Sequence, residues 1–172
     1  MNVVIRAGEE RDFPVLMELI RGLATFENAP EKVTNSVDQM RQEKEWFGSF
    51  VAEEDGKIIG AAIYFFGYYT WVGKSLYLDD LYVRPEYRRK KVGTMLLKRV
   101  FEFAKQENCK RLRWQVLGWN TDAISFYEKH GATITDEWLN CDFDEDGIEK
   151  FLKRDRADIL NNRLAATCRT SA

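Results

Sequence analysis

The apolar positions along this chain change period several times, and each change predicts an element. "VVIRA" near the N-terminus is a short β-branched run that reads as a strand. From Glu10 to Thr25, Phe13, Leu16, Met17, Ile20 and Leu23 recur at helical spacing. After the polar loop "ENAPEKVT", Ser36 and Gln39 have capping-box spacing, which predicts a short helix running to about Glu45. "SFVAEEDGKIIGAAIYFFGYY" holds two strand-like runs joined at Asp55-Gly56, a strong hairpin signal. A third run, "SLYLDDLYVRP", is closed by Pro85. Helical spacing returns at Val92, Leu96, Val100 and Phe103, so a helix is expected from Val92 to about Gln106. "RLRWQVL" reads as a strand, and "TDAISFYEKHG" as a short helix capped by Asn120 or Thr121 and stopped by Gly131. "ATITDEWLNCDFDEDG" adds at least one further strand and a turn, and the polar end after Asp155 is expected to fray.

This order predicts an α/β, mixed α+β architecture in which helices cover a mixed sheet. A doubly wound fold is excluded, because three consecutive strands come from hairpins rather than crossovers. One domain over residues 1–155 followed by a tail over 156–172 is the expected organisation for a chain of 172 residues.

Composition narrows the chemistry. The formal net charge of −2 argues against the global basic field of a nucleic-acid-binding protein. His130 is the only histidine, which excludes a histidine-rich metal site and most Ser/His/Asp arrangements. Cys109, Cys141 and Cys168 are odd in number and widely spaced, fitting neither a disulfide framework nor a Cys-x-x-Cys metal site; reduced thiols in a cytoplasmic protein are expected. No apolar run approaches the roughly 18 residues of a membrane span, and the N-terminus lacks the core of a signal peptide, so neither a membrane nor nucleic acid is an expected partner.

The strongest chemical signal is a strand-to-helix junction. In "LYVRPEYRRKKVGTMLL", Arg88, Arg89, Lys90 and Lys91 stand directly before the predicted helix, whose free N–H groups and positive dipole end suit a phosphate. The stretch resembles motif A of the GNAT acyl-CoA N-acetyltransferases, Arg/Gln-x-x-Gly-x-Gly/Ala, with Arg88 first and Gly93 last. "VLGWNTDAISFYEKHGA" is similar to motif B of the same superfamily. "YYTWVGKSLYLDDLYV" and "LATFENAPEKV" look like its diamine acetyltransferase branch, which includes spermidine/spermine and thialysine acetyltransferases. The resemblance runs over residues 3–153 and implies a central, mostly antiparallel sheet of about six to seven strands.

Two positions depart from the motif. Lys91 stands where motif A has its first glycine, and Arg89 where this branch usually has another. Glycine lets a backbone approach a pyrophosphate or take positive φ, which costs an L-residue about 1 to 2 kcal/mol. Helical dihedrals at Lys91 would avoid that cost.

The resemblance implies acetyl-CoA as cosubstrate, no metal, and a homodimer. Cofactor contacts are expected from Arg88, Arg89, Lys90, Lys91, Val92, Gly93 and Thr94 at the helix start, and from Asn120, Ala123 and Tyr127 in motif B. The backbone of Leu81, Tyr82 and Val83 corresponds to the strand that pairs with the pantetheine arm and donates an N–H to the thioester oxygen. Tyr127 matches the general acid that protonates the departing CoA sulfur; core packing with Ala123 and Ile124 is its alternative role.

An alkylamine is mostly protonated at neutral pH, so transfer to nitrogen requires a proton acceptor. Asp79 and Asp80 fall at the expected amine site. Adjacent strand residues point to opposite faces, so one of them is expected there, Asp79 before Asp80. Phe26 and Glu27 lie in the loop where the branch contacts its substrate, an aromatic and a carboxylate together suiting a cation. Trp114, Gln115 and Glu137 are further substrate-binding candidates. The function expected is therefore acetyl transfer to a primary amine of a small cationic molecule. Transfer to protein or peptide amines, or a weakly active acyl-CoA sensor, are the alternatives.

Overall fold

A computed structural model describes residues 2–153 of the chain. Cys168 and the expected polar tail from residue 156 lie outside the described residues. The chain divides into two compact units, Met1–Leu117 and Gly118–Ala172.

The first unit holds the sheet. Strands β1 (Val3–Ala7), β2 (Gly48–Glu54), β3 (Lys57–Tyr69), β4 (Gly73–Val83) and β5 (Arg111–Arg113) lie side by side in chain order. The first four are antiparallel, and β5 joins parallel to β4. A short 3-10 turn (Glu10–Asp12) leads into helix α1 (Phe13–Phe26), followed by α2 (Val37–Gln42) before β2. Helix α3 (Val92–Gln106) makes the crossover from β4 to β5. Asp55 and Gly56, with φ of 50° and 75°, form the left-handed pair that a tight β2–β3 hairpin requires.

Alternation along the strands assigns the two faces. Phe50 and Tyr64 meet Phe103 of α3, with ring centroids 5.5 and 5.0 Å away. Val51, Ile58 and Ala61 instead pack with Phe13, Leu16, Met17 and Leu19 of α1 and Met40 of α2. Tyr82 joins this second cluster, and Gly22 makes its approach possible: a Cβ on Gly22 would stand 3.0 Å from the Tyr82 hydroxyl. Burial of these side chains contributes roughly 1.5 to 3 kcal/mol each, so each helix is held by the sheet face it covers.

Three expectations need correction. The described residues contain five strands rather than six or seven. "RLRWQVL" is a strand only over Arg111–Arg113, because its partner pairing with β4 covers only Ser75–Tyr77. The segment 132–144 has no regular structure where a strand was expected. Its high density of acids disfavours pairing, and Asp144 starts a helix instead: its carboxylate accepts from Gly147 N–H at 2.7 Å and its carbonyl from Ile148 N–H at 2.9 Å. Residues 145–153 are helical. The Ser36 half of the expected capping box forms, with its hydroxyl accepting from Gln39 N–H at 3.2 Å, whereas the Gln39 side chain turns to Glu43.

The second unit includes α4 (Thr121–Lys129). Asn120 caps it by accepting from Ala123 N–H at 3.2 Å, and Gly131, at φ 86°, follows its end as expected.

Candidate active site

The site begins with a fault in a strand register. Ile63 of β3 stands opposite Asp80, but the next residue, Tyr64, stands opposite Leu78. Asp79 is the extra residue of a β-bulge. Before the bulge, Leu76 and Leu78 are buried toward α3, so Tyr77 and Asp79 face the other way. After it, Tyr82 packs toward α1, and Asp80 shares its parity. Both carboxylates therefore face the α1 side. The expectation that only one could do so assumed unbroken alternation, which the bulge removes.

Glu27 joins them at the end of α1. Burial pushes the Asp80 carboxyl up to about 7, and the negative fields of Asp79 and Glu27 add to that shift. Asp80 lines a small cavity with Leu19, Ile20, Leu23, Ala61, Ile63 and Tyr82. Asp79 keeps a solvent-exposed side, yet crowding around its carboxyl also raises its pKa through desolvation, as it does for Glu27. Among the described residues no lysine or arginine forms an ion pair with any of the three. Three acids brought together with no ion-paired cation among the described residues can attract an external one.

Directly beyond Asp80 the strand edge opens. β5 pairs only with Ser75–Tyr77, so among the described residues the later part of β4 has no strand partner on that side. Arg84 N–H donates to the Ile59 carbonyl at 2.9 Å, which makes the next pair, Gly60 and Val83, a non-hydrogen-bonded one. The backbone groups of Val83 and Leu81 therefore point away from β3 to the open edge, while those of Tyr82 point inward. Arg88 Nε donates to the Val83 carbonyl at 3.0 Å. Its guanidinium also lies 4.9 Å from the ring centroid of Phe26 and 5.3 Å from that of Tyr82.

The loop before α3 is left-handed at two non-glycine residues, Arg89 with φ 59° and Lys91 with φ 65°. The helical dihedrals envisaged for Lys91 are thus not adopted; the turn needs the glycine conformation and imposes it on lysine. The first α3 ladder bond runs from Met95 N–H to Lys91 carbonyl at 3.0 Å, so the N–H groups of Val92, Gly93 and Thr94 lie ahead of the ladder. No acid occupies the first turn. Arg89, Lys90 and Lys91 are exposed around it, Lys90 lying 5.2 Å from the Tyr87 ring centroid.

The model of the acetyltransferase (GNAT) family matches residues 15–132. The chain belongs to the GNAT acetyltransferase family. It is 33% identical over 165 residues to the thialysine N-epsilon-acetyltransferase of Mus musculus, covering 87% of this chain and 97% of that protein. The enzyme of the same name from Caenorhabditis elegans is 33% identical over 144 residues, 79% and 88% of the two chains. Among solved structures, an aminoglycoside acetyltransferase from an uncultured soil metagenomic sample superposes with a TM-score of 0.70 at 18% identity, covering 83% of this chain and 95% of that one. At such identity the likeness concerns the fold.

The donor set fits the acetyl-CoA that a GNAT enzyme uses. Helix-start N–H groups and the cations beside them suit a diphosphate, and the outward edge of Leu81 and Val83 suits an extended amide chain.

The remaining candidates are more scattered. Phe26 is the last residue of α1 rather than part of the loop after it and lies against Arg88, and Glu27, at the helix end, adjoins Asp80. Trp114 packs T-shaped on Phe101 of α3 at 6.5 Å, and Gln115 is exposed just after it. In the second unit, Tyr127 is buried and its ring lies 5.4 Å from that of Phe126, Ala123 is half-buried, and Glu137 is exposed.

Proposed function

We propose that this GNAT enzyme transfers the acetyl group of acetyl-CoA to a primary amine of a small cationic acceptor, in the class named for its thialysine and spermidine/spermine acetyltransferase relatives. The observation that carries this reading is the cluster of Glu27, Asp79 and Asp80, which forms no ion pair among the described residues and adjoins the β4 edge beyond β5.

Acetyl-CoA supplies an acyl group activated as a thioester. Glu27 and Asp79 attract the ammonium form of the acceptor, and Asp80, with a pKa near neutrality, accepts the proton that must leave before nitrogen can attack. The outward N–H of Leu81 is the donor for the thioester oxygen as the new C–N bond forms. As the C–S bond breaks, Tyr127 donates its phenolic proton to the leaving sulfur, and the second proton shed by the acylated nitrogen returns through water to the phenolate as the amide forms. Arg89, Lys90, Lys91 and the α3 N-terminus hold the diphosphate.

A panel of diamines, polyamines and ω-amino acids, assayed for acetyl-CoA-dependent acetylation by mass spectrometry, tests the reading. Acetylation of at least one of these amines, lost in Asp79→Asn with Asp80→Asn, is the expected result. Acetylation of peptide amines alone would overturn it.

A further inference from the structure

Helix α1 is fastened to the end of β4 along a single stripe. Glu18, Gly22 and Phe26 follow one another four residues apart, so they stand one above the other on the helix surface. Glu18 accepts from the Arg84 guanidinium at 3.0 Å, and the Arg88 guanidinium lies 4.9 Å from the ring centroid of Phe26. Between these two contacts Gly22 presents no side chain, and Tyr82 takes up the room. A Cβ at Gly22 would stand 3.0 Å from the phenol oxygen and 3.1 and 3.2 Å from two ring carbons, closer than a relaxed van der Waals contact.

Tyr82 has little freedom to yield. Its ring belongs to the apolar cluster under α1, and the Arg88 guanidinium lies 5.3 Å from its centroid. Its main chain is held in register opposite Ala61, with the carbonyl so near Gly60 that a Cβ there would stand 2.8 Å away. A wedge at position 22 therefore acts on α1 and lifts the helix end that carries Phe26 and Glu27.

The seam encloses the acceptor carboxyl. Tyr82 and Asp80 line the same small cavity, which Leu19, Ile20 and Leu23 close from α1 and Ala61 and Ile63 from β3. The charged or titratable groups around Asp80 are Asp79 and Tyr82 on its own strand, Glu27 at the end of α1, and Arg88 against Tyr82; β3 brings only apolar side chains to the cavity. How dry Asp80 stays is thus set by how tightly α1 lies on β4.

We propose that Gly22 is a positioning residue of the acceptor site: its missing side chain lets Tyr82 close the seam between α1 and β4, which holds Glu27 beside Asp80 and keeps water from the Asp80 carboxyl. The proposal rests on the acceptor site described above and adds what keeps that site shut. Alanine is a better helix former than glycine, so helix propensity alone makes Gly22→Ala a stabilising change. A loss of function in that variant must arise from the contact with Tyr82.

The test is a titration of the Asp80 carboxyl by carbon-detected NMR, together with the pH profile of kcat/KM for the panel amine that the wild type acetylates fastest. In the wild type both should show a midpoint near 7. Gly22→Ala should lower the midpoint by about one unit, since water then reaches the charged form and Glu27 stands farther away. KM for the amine should rise about 5-fold, while the Kd for CoA changes by less than about 3-fold. In a Tyr82→Leu background, which removes the atoms a Cβ would meet, Gly22→Ala should alter KM by no more than about 2-fold. Should Tyr82→Leu not fold, Gly22→Val takes its place, and its larger wedge should shift the midpoint further than alanine does. An unshifted midpoint in folded Gly22→Ala, equal effects of this change in both backgrounds, or a midpoint indifferent to wedge size overturns the proposal. The titration needs no turnover, which separates the proposal from the reading beneath it. A shifted midpoint in a protein that acetylates no amine of the panel supports the role of Gly22 and rejects the acceptor reading; acetylation with an unshifted midpoint does the reverse.

Discussion

Arg88 Nε donates a 3.0 Å hydrogen bond to the Val83 carbonyl, joining the first residue of the motif A loop to the last residue of the open strand. The same guanidinium covers Phe26, next to Glu27, so one side chain joins the loop before α3, the edge of β4 and the end of α1.

Truncating it should disturb all three. Arg88→Ala is expected to weaken CoA binding by about 10-fold and raise the KM for the amine, through loss of a hydrogen bond and two ring contacts of roughly 1 kcal/mol each. Arg88→Lys keeps the charge but cannot stack and donate as a planar fork, so it should recover less than half of the lost binding energy. Calorimetry with CoA checks this, and unchanged affinity in both variants would rule out the linking role.

Asp80 gives a pH signature in both activity and stability. With its pKa near 7, kcat/KM for the amine should rise through that region, and Asp80→Asn should remove the rise along with most of the activity. The unfolded carboxyl titrates near 3.9, so the native state binds its proton more tightly, and the stability linked to this group is present below about pH 4 and lost as pH rises through about 7. Asp80→Asn should therefore stabilise the protein by roughly 2 to 4 kcal/mol at pH 8 and by little at pH 4. Urea denaturation at the two pH values measures the difference; an equal effect at both would reject a desolvated carboxylate.

Strain and charge at Lys91 can be separated. Lys91→Ala removes the ammonium but leaves a left-handed L-residue, whereas Lys91→Gly removes both, so the glycine variant should exceed the alanine variant in stability by about 1 kcal/mol. Both should bind CoA with a weaker salt dependence than the wild type if the ammonium contacts a phosphate. Thermal melts and titrations at two ionic strengths decide. Equal stability of the alanine and glycine variants would exclude strain at this position.

Tyr127→Phe keeps the buried ring and removes only the hydroxyl. Turnover is expected to fall by about 100-fold while acetyl-CoA affinity changes by less than about 2-fold. Single-turnover kinetics on the folded variant provide the measurement, and undiminished turnover removes Tyr127 as the acid.

Much of the scaffold was legible because its signals are local. The 3.6 period places α1 and α3, Asp55-Gly56 turns β2 into β3, and Asn120 and Gly131 bracket α4, each through backbone preferences acting over a few residues. The motif A stretch likewise marked the helix start with its cations. Tertiary pairing decided the rest. A bulge exists only in relation to the opposing strand, so no pattern in "YLDD" could reveal that Asp79 and Asp80 share a face. The left-handed state of Arg89 and Lys91 runs against their own preference, and it holds because Arg88 and α3 constrain the loop from both ends. The length of β5 depended on how far β4 stayed beside it, and that same divergence exposes the backbone of Leu81 and Val83. Local sequence determined the elements and their order; contacts between residues distant along the chain determined which side chains and backbone groups met at the site.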